Sequence, residues 1–322
     1  MNNPEIINIC YACDENYARY MAISMMSIER YTTTPIHFYV LHSDITLNSQ
    51  KIIKEALSSE ITFIQVNIEE FSGFSLTIPS ITITTYFRLN IAQYLSSVEK
   101  VIYIDVDTII TNDITALWNT PLHNKSIAAV YDHLLELVQG GGNNTYKNKI
   151  GVKDPHIYFN AGVLLINLKK FSQKSSPIRI KNYLSNFGTA LEFQDQDILN
   201  FLFENDVYYL NPRFNFMYSL TDTLKKIDVK KFNIDSSIAI LKMPKFIVHF
   251  AGGTKAWHLE SLKKETFLYD YLYRHSPWKH IPLKSRKKRS AIGLLWYKIR
   301  RYLPSYIYHL YYHFNFDKAK EK

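Results

Sequence analysis

The chain has 322 residues, 47% of them hydrophobic and 21% charged, which suits a globular protein with a sizeable core and excludes a disordered one. Its formal charge of +9 is local: residues 284–322 contain 11 Lys/Arg and 2 Asp/Glu, while residues 1–283 hold 27 of each sign. Partner inferences drawn from basic character therefore belong to the tail and not to the body.

Met1-Asn2-Asn3-Pro4-Glu5 has neither a basic n-region nor an apolar h-region, so no secretory signal is expected. The Asn-x-Ser/Thr triplets at Asn124 and Asn143 then carry no glycosylation meaning. Ile6 to Cys13 reads as a first strand. Its Cys10 and Cys13 lack the second pair that zinc needs, and an offset of three sends the thiols to opposite faces of a strand, so they read as packing residues. Tyr17 to Tyr31 has helical spacing at Met21, Met25 and Ile28, Ile36 to Leu41 is a second strand, Leu47 to Leu57 a helix and Ile61 to Val66 a third strand. This β-α-β-α-β order points to a doubly wound α/β sheet. Thr84-Thr85 can cap a helix running through Tyr86-Phe87-Arg88-Leu89 to Leu95.

Val101 to Ile104 is a continuous apolar strand that stops at Asp105-Val106-Asp107. Carboxylates at the end of such a strand sit where open α/β sheets bind ligands. If the backbone remains extended, a spacing of two points both the same way, which suits a hard divalent cation. The plainer reading is a pair of turn formers leaving a strand. Ile127 to Tyr131 is a further strand ending at Asp132, and Asn160 to Asn167 is a buried strand entered through small residues. A helix follows at Ile178 to Phe187. Phe193-Gln194-Asp195-Gln196-Asp197 puts more polar groups at a helix start than capping requires. Phe246 to Phe250 is a last strand ending in His249 and a Gly252-Gly253 turn before Lys255. No Gly-x-Gly-x-x-Gly follows the first strand, which argues against a dinucleotide fingerprint.

Taken together, Ala12-Cys13-Asp14-Glu15-Asn16-Tyr17, Tyr86-Phe87-Arg88-Leu89, Asp105-Val106-Asp107, Asn160-Ala161-Gly162-Val163, Asp195-Gln196-Asp197 and His249-Phe250-Ala251-Gly252 through Lys255 resemble glycosyltransferase family 8. The likeness spans Ile6 to Trp257 and is nearest to bacterial lipopolysaccharide and lipooligosaccharide galactosyl- and glucosyltransferases. It implies a type A fold, with a Rossmann-like mixed sheet flanked by helices on both faces, and a retaining transfer from a nucleotide-diphospho-sugar. By the same resemblance Asp14 and Asn16 lie by the uracil and ribose, and Val106 adds a donor contact. Asp105, Asp107 and His249 hold a metal, usually manganese with magnesium as the alternative. Arg88, Asp132, Asn160, Asp195 and Gln196 surround the donor sugar, and Gly252 and Lys255 touch the diphosphate. Asp132 is placed mainly by its strand-end position, and Ala256 stands where relatives have proline.

The residue types agree with that chemistry on their own terms. Two carboxylates and an imidazole form a mixed O/N site that shifts preference from magnesium toward manganese. Such an ion neutralises a departing diphosphate, Lys255 supplies a point charge and Arg88 a forked contact to the same oxygens. Two routes to retention stay open. Asp195 or Gln196 could serve a double displacement, the amide being the poorer nucleophile, or substitution could occur on one face with no enzyme nucleophile.

The boundaries expected are a catalytic domain over 1–260, a helical connection over 261–283 and a basic amphipathic tail over 284–322. Within the tail, Ile292, Leu295, Ile299, Tyr302 and Leu303 can share a helix face with Lys298 and Arg301 beside it. The apolar run is too short to span a bilayer, and the pattern fits a helix lying in the interface of an anionic membrane, not a nucleic-acid arm. The expected activity is transfer of galactose or glucose from a UDP-sugar to an oligosaccharide acceptor on a lipid carrier, such as the lipopolysaccharide core. The expected location is cytoplasmic, at the inner face of a bacterial inner membrane. Two alternatives are a sugar- or nucleotide-binding protein without turnover and a sugar-1-phosphate nucleotidyltransferase, whose glycine-rich, basic signature is not present after the first strand. Candidate acceptor loops are Phe71 to Thr82, Gly140 to Gly142 and Asn211 to Leu220.

Overall fold

The computed structural model describes residues 5–78, 81–133, 135, 145–154, 157–219 and 243–302. The Gly140–Gly142 loop, Asn143 and Asn144, Leu220 and the tail from Leu303 onward lie outside the described residues.

Among the described residues ten strands follow in order: β1 (Ile7–Cys13), β2 (Ile36–His42), β3 (Glu60–Gln65), β4 (Lys100–Ile104), β5 (Thr108–Ile110), β6 (Ile127–Tyr131), β7 (Phe159–Asn167), β8 (Val207–Tyr209), β9 (Phe216–Met217) and β10 (Ile247–His249). Seven form one sheet in the order β3-β2-β1-β4-β7-β6-β8. The β3-β2-β1-β4 half is parallel, as the strand-helix alternation predicts. Strand β7 then runs antiparallel to both β4 and β6, making the sheet mixed.

Alternation along each strand divides the interior into two layers. Ile7, Ile9, Tyr11 and Cys13 of β1 face one side, with Met21, Met25 and Ile28 of the helix Glu15–Tyr31. Cys10 faces the other, with Val101, Tyr103, Phe87, Phe171, Ile180 and Ile198. The two cysteines are free, buried and on opposite faces, and burial pushes both thiols up, so they act as packing residues. The first helix starts at Glu15 because the Asp14 side chain accepts from the Asn16 N–H.

A second, three-stranded sheet has the order β5-β10-β9. The chain leaves β4 at Ile104, turns through Asp105-Val106-Asp107 and enters β5 in the other sheet. The extended backbone considered for this stretch is therefore not what brings the carboxylates together; the turn between sheets does. The expected helix from Thr84 to Leu95 also differs. Ile83–Asn90 is a 3-10 helix and only Ile91–Tyr94 is α-helical. The tighter winding buries Thr84, Tyr86, Phe87, Arg88 and Leu89 together, which an amphipathic α-helix would not.

Segment 261–283 contributes the helix Thr266–Arg274, whose Leu268, Tyr269, Leu272 and Tyr273 pack with Tyr20, Ile23, Val248 and Trp257. Residues 291–302 form a final described helix. Among the described residues, no helix is long and apolar enough to cross a membrane.

Candidate active site

The cleft lies at the carboxyl ends of β1 and β4, where the two sheets meet, and encloses about 450 Å³. Antiparallel pairing of β10 with β5 sets His249 opposite Thr108, next to Asp107. His249 Nε2 stands 3.1 Å from Asp107 Oδ1 and 3.8 Å from Asp105 Oδ2. One ligand atom from each of the three residues falls within 4.8 Å of the others. Residues 142 positions apart are thus joined at one point.

The donor set is of a kind that could hold a divalent ion, and a hydrogen-bond chain behind it fixes the tautomer of His249. The Gly162 N–H donates to Asn160 Oδ1 at 3.0 Å, which fixes that amide. Asn215 Nδ2 donates to the same oxygen at 2.8 Å, so its own Oδ1 must face His249 Nδ1, 3.0 Å away. A carbonyl oxygen only accepts, so Nδ1 carries the proton and, in the neutral ring, Nε2 presents its lone pair to the two carboxylates. Nothing local in the sequence singled out Asn215; it follows the 3-10 turn Pro212–Phe214, and the parallel β9–β10 pairing carries it to His249.

Gly162 is the second residue the sequence reading passed over as a site residue. A Cβ there would lie 2.3 Å from His249 Cε1 and 2.8 Å from Asp105 Oδ2, so only glycine lets those two side chains stand this close to β7. The run of small residues entering β7 was its visible signal. Gly252 has φ +98°, a conformation that favours glycine, and it turns the chain from β10 toward Lys255.

Lys255 Nζ pairs with Asp107 Oδ2, on the carboxylate oxygen that His249 does not touch. Burial opposes ionisation of Asp107, but Lys255 and His249 outweigh it and hold the carboxyl well below the usual range.

Arg88 takes a different position from the forked diphosphate contact anticipated for it. It is 5% exposed, its Nη2 lies 2.8 Å from Asp105 Oδ1, its Nε 2.9 Å from Asp195 Oδ2, and its Nη1 donates to the Ala161 carbonyl at 2.6 Å. The guanidinium also covers the Tyr103 ring at 4.3 Å, and Tyr103 donates to Asp105. Arg88 is thus turned inward, tying the Asp-x-Asp turn to Asp195.

Asp195 is buried at the start of the helix Asp195–Leu202. Burial pushes its carboxyl up to about 6, against the opposing effects of Arg88 and of Thr85, whose hydroxyl donates to Oδ1 at 2.5 Å. Gln196 Oε1 accepts the Ala161 N–H at 3.0 Å, and its Nε2 donates to Asp132 Oδ2 at 3.2 Å. Asn160 Nδ2 donates to the same Asp132 oxygen. Asp197 faces away from the cleft: it accepts from Tyr146, Tyr158 and the Glu192 and Phe193 N–H groups and so anchors the turn before it. In that turn Gln194 sits at φ +45°, an uncommon conformation for a residue with a side chain.

Arg88, Asp105, Val106, Asp107, Asp132, Asn160, Asp195, Gln196, His249, Gly252 and Lys255 all line this one cleft. Asp14 and Asn16 do not line it; Asp14 caps the first helix, Asn16 is exposed, and their neighbours Ala12, Cys13 and Tyr17 form that wall. Of the suggested acceptor loops, Ile78, Ile81 and Thr82 and, from another, Met217 reach the cleft.

The model of the family "Glycosyl transferase family 8" matches residues 8–261. A crystal structure of the galactosyltransferase LgtC, in complex with donor and acceptor sugar analogs, superposes with a TM-score of 0.74 at 34% identity, covering 84% of this chain and 96% of that one. Lipopolysaccharide 1,2-glucosyltransferase of Escherichia coli K12 is 26% identical over 325 residues, 97% of this chain and 88% of that protein. Lipopolysaccharide 1,3-galactosyltransferase of Salmonella typhimurium is 25% identical over 286 residues, 86% of this chain and 80% of that protein. A glycosyltransferase-family protein of Haemophilus influenzae is 35% identical over 257 residues, 79% of this chain and 74% of its own length. The mixed sheet is that of a type A glycosyltransferase, and the chain belongs to glycosyl transferase family 8.

Proposed function

We propose that this protein transfers galactose or glucose from a UDP-sugar, with retention, to an oligosaccharide of the lipopolysaccharide or lipooligosaccharide type. The observation that carries the reading is the convergence of Asp105, Asp107 and the Nε2 of a tautomer-fixed His249 beside Lys255. A manganese ion held there, with magnesium as the alternative, would neutralise the leaving diphosphate as a Lewis acid. Lys255, now paired with Asp107, is within reach of the same oxygens as a point charge. Gly252 lets the backbone turn closely around them. Asp132, Asn160 and Gln196 present amide and carboxylate groups along the opposite wall, where a sugar ring offers hydroxyls.

The bonding of Asp195 bears on how configuration is kept. One of its oxygens accepts from Thr85, while the other lies 2.9 Å from Arg88 Nε without a hydrogen bond and keeps its lone pairs, so double displacement and substitution on one face both stay open. Gln196 Oε1, on the poorer nucleophile of the two, accepts the Ala161 N–H. Arg88, Asp195 and Thr85 act as the frame that fixes the Asp-x-Asp turn.

The tail supports attachment to an anionic membrane surface at the cytoplasmic face. On the 291–302 helix Ile292, Leu295, Trp296 and Ile299 are 82%, 58%, 50% and 53% exposed, bordered by exposed Lys287, Lys288, Lys298 and Arg300. That arrangement brings the cleft to a lipid-carried acceptor.

Release of UDP from a panel of nucleotide sugars, with and without manganese, tests the transferase reading and names the sugar. A binding protein would retain donor without release, and a nucleotidyltransferase would release pyrophosphate from a nucleoside triphosphate instead. Asp107→Asn should fold and lose metal-dependent release; full activity of that variant at saturating metal would remove the assignment.

A further inference from the structure

We propose that Arg301, in the basic tail, is a positioning residue for Lys255. Its guanidinium gathers the backbone directly behind that lysine and so fixes where the ammonium group stands in the cleft. The proposal rests on the reading of Gly252–Lys255 as the donor diphosphate contact.

Arg301 was expected at the polar edge of a surface helix, yet it is 0% exposed. Its neighbour Arg300 points outward over the Trp296 ring, as a helical step of one residue allows. All five N–H donors of Arg301 are engaged. Nε donates to Asp270 Oδ2 at 2.9 Å, and Nη2 to Asp270 Oδ1 at 2.6 Å and to the Ala256 carbonyl at 2.7 Å. Nη1 donates to the His258 carbonyl and, at 3.4 Å, to that of Ser261.

Asp270 alone would satisfy the charge. The three carbonyls lie in a turn-rich stretch outside any strand or helix, which begins one residue after Lys255; that of His258 also accepts from the Ser261 N–H at 2.9 Å. Ala256 and Ser261 are buried and their carbonyls need donors, and the forked guanidinium supplies these from one point while adding a second bond to His258. The same turn is tied to the cleft by the Lys255 N–H donating to His258 Nδ1 at 3.0 Å, and by Trp257 stacked on Tyr20 at 4.1 Å. On its outer side, Glu260 accepts from Ser285 Oγ, the Arg286 N–H and Arg289 Nε, and Arg286 Nη1 reaches Thr254 Oγ1 at 3.1 Å. The first part of the tail is thus built into the wall that carries the lysine. A lysine at 301 could keep the pair with Asp270 but could not hold three carbonyls in fixed directions.

The test uses the full-length protein and UDP with manganese as the probe. Affinity is measured by calorimetry, and folding by circular dichroism and melting, for Arg301→Lys, Arg301→Met/Asp270→Leu, Lys255→Ala and Arg301→Lys/Lys255→Ala. The expected result is a fall in UDP affinity of about tenfold for Arg301→Lys and for the apolar pair, with both folded. Adding Arg301→Lys to Lys255→Ala should cost no more than Lys255→Ala alone, because one residue acts through the other. A purely structural Arg301 would give additive losses, and additivity overturns the proposal. So does native UDP affinity in folded Arg301→Lys. Unchanged affinity in Lys255→Ala would instead refute the diphosphate reading itself, and the proposal with it.

Discussion

Replacing Gly162 by alanine tests the geometry of the proposed metal-ligand cluster with a single methyl group. That methyl would stand 2.3 Å from His249 Cε1 and 2.8 Å from Asp105 Oδ2, where ordinary contact begins at 3.4 Å. The imidazole must therefore retreat by about 1 Å, several times the ~0.2 Å within which ligand distances are held in metal sites. It cannot retreat freely, because Asn215 holds Nδ1 from behind and β10 is paired on both sides. Overpacking of this kind costs about 1–3 kcal/mol, leaving a folded protein with a misplaced ligand. Manganese affinity should fall about 100-fold or more, since even misorienting a ligand through its supporting contacts costs 10- to 100-fold. Titration of free manganese by electron paramagnetic resonance, alongside melting curves, gives both quantities. Gly188→Ala is the control: its Cβ would meet Leu184 at 3.7 Å, an ordinary contact, and should leave the metal affinity unchanged. Wild-type manganese affinity in a folded Gly162→Ala protein would refute the claim that these three residues form the site.

Three further outcomes are expected. Asn215→Leu should lower manganese affinity about 10- to 100-fold and shift the His249 ring-nitrogen resonances toward a tautomer mixture; an unchanged nitrogen-15 spectrum would show that Asn215 does not select the tautomer. Burial holds the His258 ring down to about 4, with Lys255, Arg286 and Arg301 adding to the effect and Glu260 opposing it. In the folded protein the ring therefore stays neutral, and the Lys255–His258 contact intact, until pH nears about 4, whereas folding stability is fully present above about pH 6.5 and is lost as pH falls from there through about 4. UDP affinity should decline as pH falls through about 4, and His258→Asn, which keeps an acceptor but does not titrate there, should flatten the profile. Full-length protein should sediment with anionic liposomes through the exposed face of the 291–302 helix, whereas Ile292→Asp/Ile299→Asp should not; equal sedimentation would remove the membrane reading.

Much of the fold and of the site was legible because it depends on periodicity and residue type. The β-α-β-α-β order of the first 66 residues, the buried strands β4, β6 and β7, and the polar run at Asp195 follow from which side chains must leave water. The proposed site residues were legible mainly through the family resemblance of the six motifs taken together, because a strand-end carboxylate or imidazole by itself reads equally well as a turn former or a structural group. What the sequence by itself determined, then, was the list of elements and the chemistry they carry.

Tertiary structure decided the distances and the supporting contacts. The turn of the chain from the large sheet into β5, followed by β10 pairing beside it, made Asp105, Asp107 and His249 one cluster, and no local spacing encodes a pairing 142 residues long. Arg88 turned inward because Asp105 and Asp195 converge on it, and Asn215 and Gly162 matter only through what packs against them. Arg301 looked like every other cation of a basic tail until the 291–302 helix set it over Asp270 and three carbonyls. A charge can be read from the chain, but its partner is fixed by where the backbone brings the opposite charge.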